Sequence, residues 1–157
     1  MQMAIVKANF YKHSLNQFLP NRVRGEYLDW GLNALVMEVK IDESEMGTLY
    51  AGDPVKIVAT SKGKLKVVAA GAEAAFGYIL FNPKHETVKA GDIVSVLCKD
   101  GVISAVTEES ISAGADVYYK AADGSVTATT TGKPRMGIAL EATSAVEGGT
   151  LIAILVG

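Results

Sequence analysis

The sequence predicts an all-β fold: a small barrel or sandwich of short antiparallel strands, built from two similar β units and preceded by an extended N-terminal arm. Three observations predict it. The second two-thirds of the chain nearly repeats itself. Short runs of alternating or β-branched apolar residues recur at close spacing, with turn signals between them. No apolar pattern sustains a helix beyond two turns.

The repeat can be read directly. Ala51-Gly52-Asp53-Pro54-Val55-Lys56-Ile57-Val58 is answered by Ala113-Gly114-Ala115-Asp116-Val117-Tyr118-Tyr119-Lys120. Phe76-Gly77-Tyr78-Ile79-Leu80 is answered by Met136-Gly137-Ile138-Ala139-Leu140. Lys89-Ala90-Gly91-Asp92-Ile93-Val94-Ser95-Val96-Leu97 is answered by Glu147-Gly148-Gly149-Thr150-Leu151-Ile152-Ala153-Ile154-Leu155. The spacings Gly52 to Gly114, Gly77 to Gly137 and Gly91 to Gly149 drift only from 62 to 60 to 58 residues. Two copies are fewer than the three or so that a solenoid needs, so the copies are expected to pack against each other. The division this implies is an arm and first strand over 1–47 and a β domain over 48–157, with halves at about 48–98 and 110–157.

Each element has its own signal. Ala4-Ile5-Val6 reads as a short strand, and Leu19-Pro20-Asn21-Arg22 as a turn or extended arm, because Pro20 lacks a donor and restricts Leu19. Residues 34–41 alternate after an apolar start and read as a strand. Asp42 to Gly47 is an acidic, solvated connection. Residues 54–59 and 65–69 alternate around a Lys62-Gly63-Lys64 hairpin turn. Residues 76–81 form a strand stopped by Asn82-Pro83, and 93–98 form a β-branched run. Lys99-Asp100-Gly101 is expected to close a hairpin into 102–106, since Asp-Gly is among the best turn pairs. In the second half, 117–120, a Thr-rich 126–131, 135–142 and 150–156 read as strands, with Asp123-Gly124 as another hairpin turn.

Composition narrows the function classes. With 49% hydrophobic and 20% charged residues in 157, a single core is expected. A net charge of −2 argues against nucleic acid or an anionic membrane as partner. Cys98 is the only cysteine, so no internal disulfide forms; it is expected to be a buried, inert thiol in a protein matured under reducing conditions. There is no signal-peptide pattern and no membrane-spanning apolar stretch, and the protein is expected to be soluble and made in the cytosol.

The charge is uneven. Residues 1–25 hold Lys7, Lys12, Arg22 and Arg24 and no acid, a net +4 that leaves −6 on the rest. Phe10, Tyr11, Phe18, Tyr27 and Trp30 make five of the eleven aromatics. Aromatics and arginine are enriched at protein interfaces, so this arm is the candidate docking element. The alternative is that its aromatics complete the core.

Few residues ask for chemistry. The two histidines, His13 and His85, form no metal-spacing pair. There is no nucleophile elbow, phosphate loop or dinucleotide fingerprint. Asp53, Asp92 and Asp116 sit near glycines at strand starts, where capping of the turn accounts for them. Asp42, Glu43 and Glu45 lack the spacing of a calcium loop. No catalysis, cofactor or metal is expected.

Gly-Asp-x-Val turns also occur in biotinyl and lipoyl carrier domains, but neither Lys62-Gly63-Lys64 nor Lys99-Asp100-Gly101 has the context of a modified lysine. The C-terminal stretch from Lys133-Pro134-Arg135-Met136-Gly137-Ile138-Ala139-Leu140-Glu141-Ala142 to Glu147-Gly148-Gly149-Thr150-Leu151-Ile152-Ala153-Ile154-Leu155-Val156 resembles the ending of tailed-phage capsid decoration, or structural cement, proteins. The resemblance covers roughly residues 48–157, and residues 1–47 depart from that family's usual shorter chain. It implies a non-enzymatic virion protein that binds the outside of an icosahedral shell, clamps neighbouring major capsid subunits, and assembles as a small homo-oligomer, with a trimer favoured. It implies no cofactor. The arm residues Lys12, Phe18, Arg22, Arg24, Tyr27 and Trp30 are then the expected capsid contact, from their charge and aromatic character. The alternative is another virion or surface β module, such as a head-fibre base, a tail component or a carbohydrate-binding domain.

Overall fold

The computed structural model describes residues 23–157. The expected Ala4-Ile5-Val6 strand and the Pro20 turn lie outside the described residues. Eleven strands and no helix are found among the described residues: β1 (Tyr27–Leu28), β2 (Leu35–Ile41), β3 (Pro54–Ser61), β4 (Lys64–Ala69), β5 (Gly77–Ile79), β6 (Ile93–Lys99), β7 (Gly101–Thr107), β8 (Asp116–Tyr119), β9 (Val126–Thr127), β10 (Arg135–Ala139) and β11 (Thr150–Val156). The chain is all-β, as the strand and turn pattern predicts.

Five strands close a barrel in the order β2-β4-β3-β5-β6, and six form an open sheet in the order β1-β7-β11-β10-β8-β9. The two units share one plan. β3-β4 and β8-β9 are hairpins, β5 and β10 flank them, β6 and β11 follow, and β2 and β7 pair with those last strands. Even the isolated bridges correspond, Leu49 to Val88 and Ile111 to Thr143. The repeat therefore extends upstream of the Ala-Gly turns. β2 opens the first unit, although the division at residue 47 assigns it to the arm, and β7 opens the second.

All ladders are antiparallel except β2-β4, which pairs in parallel at Lys40–Lys66 and Ile41–Val67. A closed ring with an odd number of strands cannot alternate direction throughout, so one parallel seam is unavoidable. It falls where β2, which enters without a hairpin, meets β4. Lys62 (φ 53°) and Gly63 (φ 76°) make the two-residue loop with both φ positive that tight hairpins favour. Lys99-Asp100-Gly101 does not close a hairpin. Both edges of β6 are already taken by β2 and β5. Asp100, at φ 60°, donates its N–H to the Val156 carbonyl instead, and the chain crosses into the second unit as β7. The Thr-rich strand is shorter than predicted, because β9 ends at Thr127.

Side-chain alternation gives two packed clusters. Val39, Ile41, Val55, Val67, Ile79 and Val96 fill the barrel. Tyr78 and Leu97, of opposite parity on the same strands, point out of the barrel. They join Ile103, Val117, Ile152 and Ile154 in the second unit's cluster. This shared face explains why β7 is buried along its whole length. Burial pushes the Tyr78 hydroxyl up to about 12. Cys98 is half-buried rather than buried, packed against the barrel cluster.

The repeated Gly77 and Gly137 have one steric cause. A Cβ on Gly137 would lie 1.9 Å from the Leu155 carbonyl oxygen, and one on Gly77 would lie 3.0 Å from that of Leu97. β10 runs too close to β11 for any side chain, and β5 leaves only a tight fit against β6. Gly137→Ala should force the β10–β11 ladder apart and destabilise the fold by about 2 kcal/mol or more in urea unfolding, against less for Gly77→Ala. Tyr78 is expected to ionise in the folded state only near pH 12, against an ordinary value of 10.0. Its contribution to stability is then full below about pH 10 and is lost as pH rises from there to about 12, which urea midpoints measured across that window will show.

Candidate functional site

The N-terminal segment meets the two β units at one buried point. Gly25 donates to the Ser104 carbonyl, and Ser104 donates to the Glu26 carbonyl, laying the segment along β7. β1 then pairs Tyr27 with Ile103 and Leu28 with Val102. Glu26 closes the preceding turn by accepting the Val23 N–H at 3.0 Å. Gly25 is held so close to the Ala51–Gly52 turn that a Cβ would sit 2.4 Å from the Gly52 nitrogen.

Arg24 is only 3% exposed. Its Nη1 lies 3.2 Å from Asp53 Oδ1 and donates to the Ala51 carbonyl at 2.5 Å, both in the first unit. Its Nη2 donates to the Gly124 carbonyl at 3.1 Å and, more weakly, to Tyr119 Oη at 3.4 Å, both in the second unit. Tyr119 Oη in turn donates to Asp53 Oδ1. Burial pushes the Tyr119 hydroxyl well above its ordinary value, so it stays a neutral donor. One guanidinium thus ties three parts of the chain together. A buried charge held this way has nearly all its donors engaged, which is what makes its burial tolerable.

Turn-capping accounts for Asp53 and Asp92, whose Oδ2 atoms accept from the Tyr50 and Lys89 N–H groups, each at 2.9 Å. For Asp53 it is half the account. Gly114 and Ala115 make the same turn hydrogen bonds in the second unit without a carboxylate, so the turn alone does not demand one. Asp116 caps no turn; it holds the Arg135 guanidinium at 2.9 and 3.0 Å. In the acidic connection, Asp42 accepts from the hydroxyl and backbone N–H of Ser44, which lower its pKa. Among the described residues no group of three or more His, Cys, Asp or Glu is arranged to hold a metal ion. No helix among them is long and apolar enough to cross a membrane.

The predicted contact residues separate. Lys12, Phe18 and Arg22 lie outside the described residues. Arg24 is withdrawn into the body. Tyr27 is half-buried against the second cluster. Trp30 is 51% exposed. Sequence reasoning missed its company. Leu32, Leu35 and Val36, each 43–44% exposed, follow Trp30 along the chain into β2. The signal was present in Ala34-Leu35-Val36-Met37, where consecutive apolar residues must occupy both faces of a strand.

The exposed apolar residues that follow the clamp do not by themselves name a partner. A family model for the XM1 gp53 minor capsid protein matches residues 16–156, all but the two ends of the chain. The chain belongs to that family. Comparison with curated proteins finds no match. As a member of a phage minor capsid family, this is a structural component of the virion, associated with the capsid. In this XM1 gp53-type chain the matched region includes the Arg24 clamp, the exposed run and both β units. It also takes in Phe18 and Arg22 but not Lys12.

Removing one partner of the clamp leaves the other charge buried and unpaired. Arg24→Met or Asp53→Leu alone should each cost about 3–5 kcal/mol in urea unfolding. The double substitution should recover most of that loss, and a simple sum of the two losses would refute the coupling.

Proposed function

We propose that this protein is a non-enzymatic decoration protein. It binds the outside of the icosahedral shell and cements neighbouring major capsid subunits, as a homotrimer added after synthesis in the host cytoplasm. One observation carries the reading: in a chain of the minor capsid family, the exposed run Trp30, Leu32, Leu35 and Val36 begins where the basic, aromatic arm joins the body. The resemblance to cement proteins supports the exterior position and favours the trimer.

The contact set follows from the burial of each residue. Lys12, Phe18 and Arg22 of the arm engage the shell with Trp30 as the apolar anchor and Tyr27 behind it. Arg24 does not touch the shell; it is the positioning residue that fixes where the arm leaves the body. A partner that binds only the assembled lattice stabilises it by mass action, and several copies joined in one oligomer bind together far more tightly than each alone.

Co-sedimentation with expanded shells tests this. The wild type should bind, light scattering should give the mass of a trimer, and Trp30→Ser should weaken binding about tenfold or more without changing the urea midpoint. Removing residues 1–22 should do the same and leave the body folded, since the clamp and β1 remain. Failure of the wild type to bind shells would refute the cement reading, and unchanged binding by both variants would refute the contact set.

A further inference from the structure

Trp30 stands in the six residues, 29–34, that join β1 to β2. Both ends of this loop are held at one place. The chain enters it from the Leu28–Val102 pair and leaves it at the Leu35–Lys99 pair. At Gly101, between those two partner positions, a Cβ would sit 2.7 Å from the Ala34 Cβ and 3.2 Å from Tyr27 Cε1. Tyr27 and Ala34, on either side of the excursion, therefore meet over a single glycine. Residues 29–33 between them are all exposed, the form of a short surface loop with joined ends. One bond inside the loop sets the direction of its apex. Asp29 Oδ1 accepts the Gly31 N–H at 2.9 Å, and Gly31 takes φ 76°. This closes an Asx turn around Trp30. A Cβ on Gly31 would meet nothing within 4 Å, so glycine serves the backbone there and does not answer a lack of room. Chain reversal alone does not ask for this turn, because the Tyr27 and Ala34 contacts already return the loop to the body.

We infer that Asp29 is a positioning residue for shell binding: with Gly31 it holds Trp30, before contact, in the conformation that enters the shell. The inference rests on the cement reading above. The Asp29–Gly31 bond lies within the loop and fastens it to nothing else, so it governs where Trp30 points and not how firmly the body is folded. Trp30 is 51% exposed, and the body does little to hold it in place. An aromatic anchor contributes most to an interface when its conformation is set beforehand, because ordering a loop and a side chain on contact weakens binding. Asp29 acts here through its acceptor oxygen and not through its charge. Asparagine offers the same acceptor to the same turn, whereas alanine offers none.

Trp30 is the only tryptophan in the chain, so its emission reports on this loop alone. Fluorescence anisotropy decay of the full chain, with co-sedimentation on expanded shells, tests the inference. Asp29→Ala should increase the fast local motion of Trp30, leave the urea midpoint unchanged and weaken shell binding about three- to tenfold. Asp29→Asn should restore both the slow motion and the binding. Gly31→Ala, which strains the turn without a steric clash, should behave like Asp29→Ala. If the wild type binds shells and Asp29→Ala binds equally well, the inference falls and the cement reading stands. If Asp29→Asn binds as weakly as Asp29→Ala while its Trp30 moves as in the wild type, the carboxylate itself touches the shell and the positioning role is overturned. If Asp29→Ala lowers the urea midpoint along with binding, the bond serves the fold and the positioning role is again overturned. If the wild type does not bind shells, the cement reading has failed and takes this inference with it.

Discussion

Arg24 is the residue on which the arrangement of the chain depends. Two β units packed through Tyr78 and Leu97 share an apolar face, but apolar contact is non-directional and does not by itself fix where a third segment lies. The guanidinium supplies that direction. Its donors reach Ala51 and Asp53 in one unit and Gly124 and Tyr119 in the other. Gly25, the next residue, fits only because it has no Cβ. The segment is thereby locked before β1 begins, and every residue after it, including Trp30, inherits its place from that lock.

The two units have diverged around this lock. The β3-β4 hairpin runs on past Val67 to a tip at Lys62-Gly63, whereas the β8-β9 hairpin stops at the Tyr119–Val126 pair. Where the second hairpin falls short, residues 24–28 occupy the space along β7. Thr107 completes the join by donating its hydroxyl to the Val126 carbonyl, the place where the first unit uses the backbone of Asp42 on Val67. Asp53, answered by Ala115 in the other copy, is the residue that divergence put to use.

Much of this was legible in the chain. The repeat, the strand sites and the glycines at equivalent turns follow from local pattern, because period-two alternation and left-handed turns act over a few residues. Three things were not legible. The fate of Lys99-Asp100-Gly101 depended on whether β6 had a free edge, which is a property of the closed ring. Arg24 looked like part of a basic arm because its partners, Asp53, Tyr119 and Gly124, are 29 to 100 residues away in sequence. The exposed run at Leu32, Leu35 and Val36 was hidden inside a segment whose apolar character reads equally well as core. Lys12, Phe18 and Arg22 lie outside the described residues, and their proposed contact rests on charge and aromatic content alone.

The closed barrel also has a history in time. β2 is made early, yet the strand it pairs with most extensively, β6, ends at Lys99, opposite Leu35. On a ribosome adding 5–20 residues per second, β2 waits about 3–12 s for that partner. The parallel seam with β4 joins only two residue pairs and offers little hold in the meantime. Leu35, Val36, Met37 and Val39 therefore pass through synthesis as an uncovered apolar ribbon. The ring can shut only when its last strand arrives, so the lag between first and last strand is the interval in which this ribbon is open to mispairing.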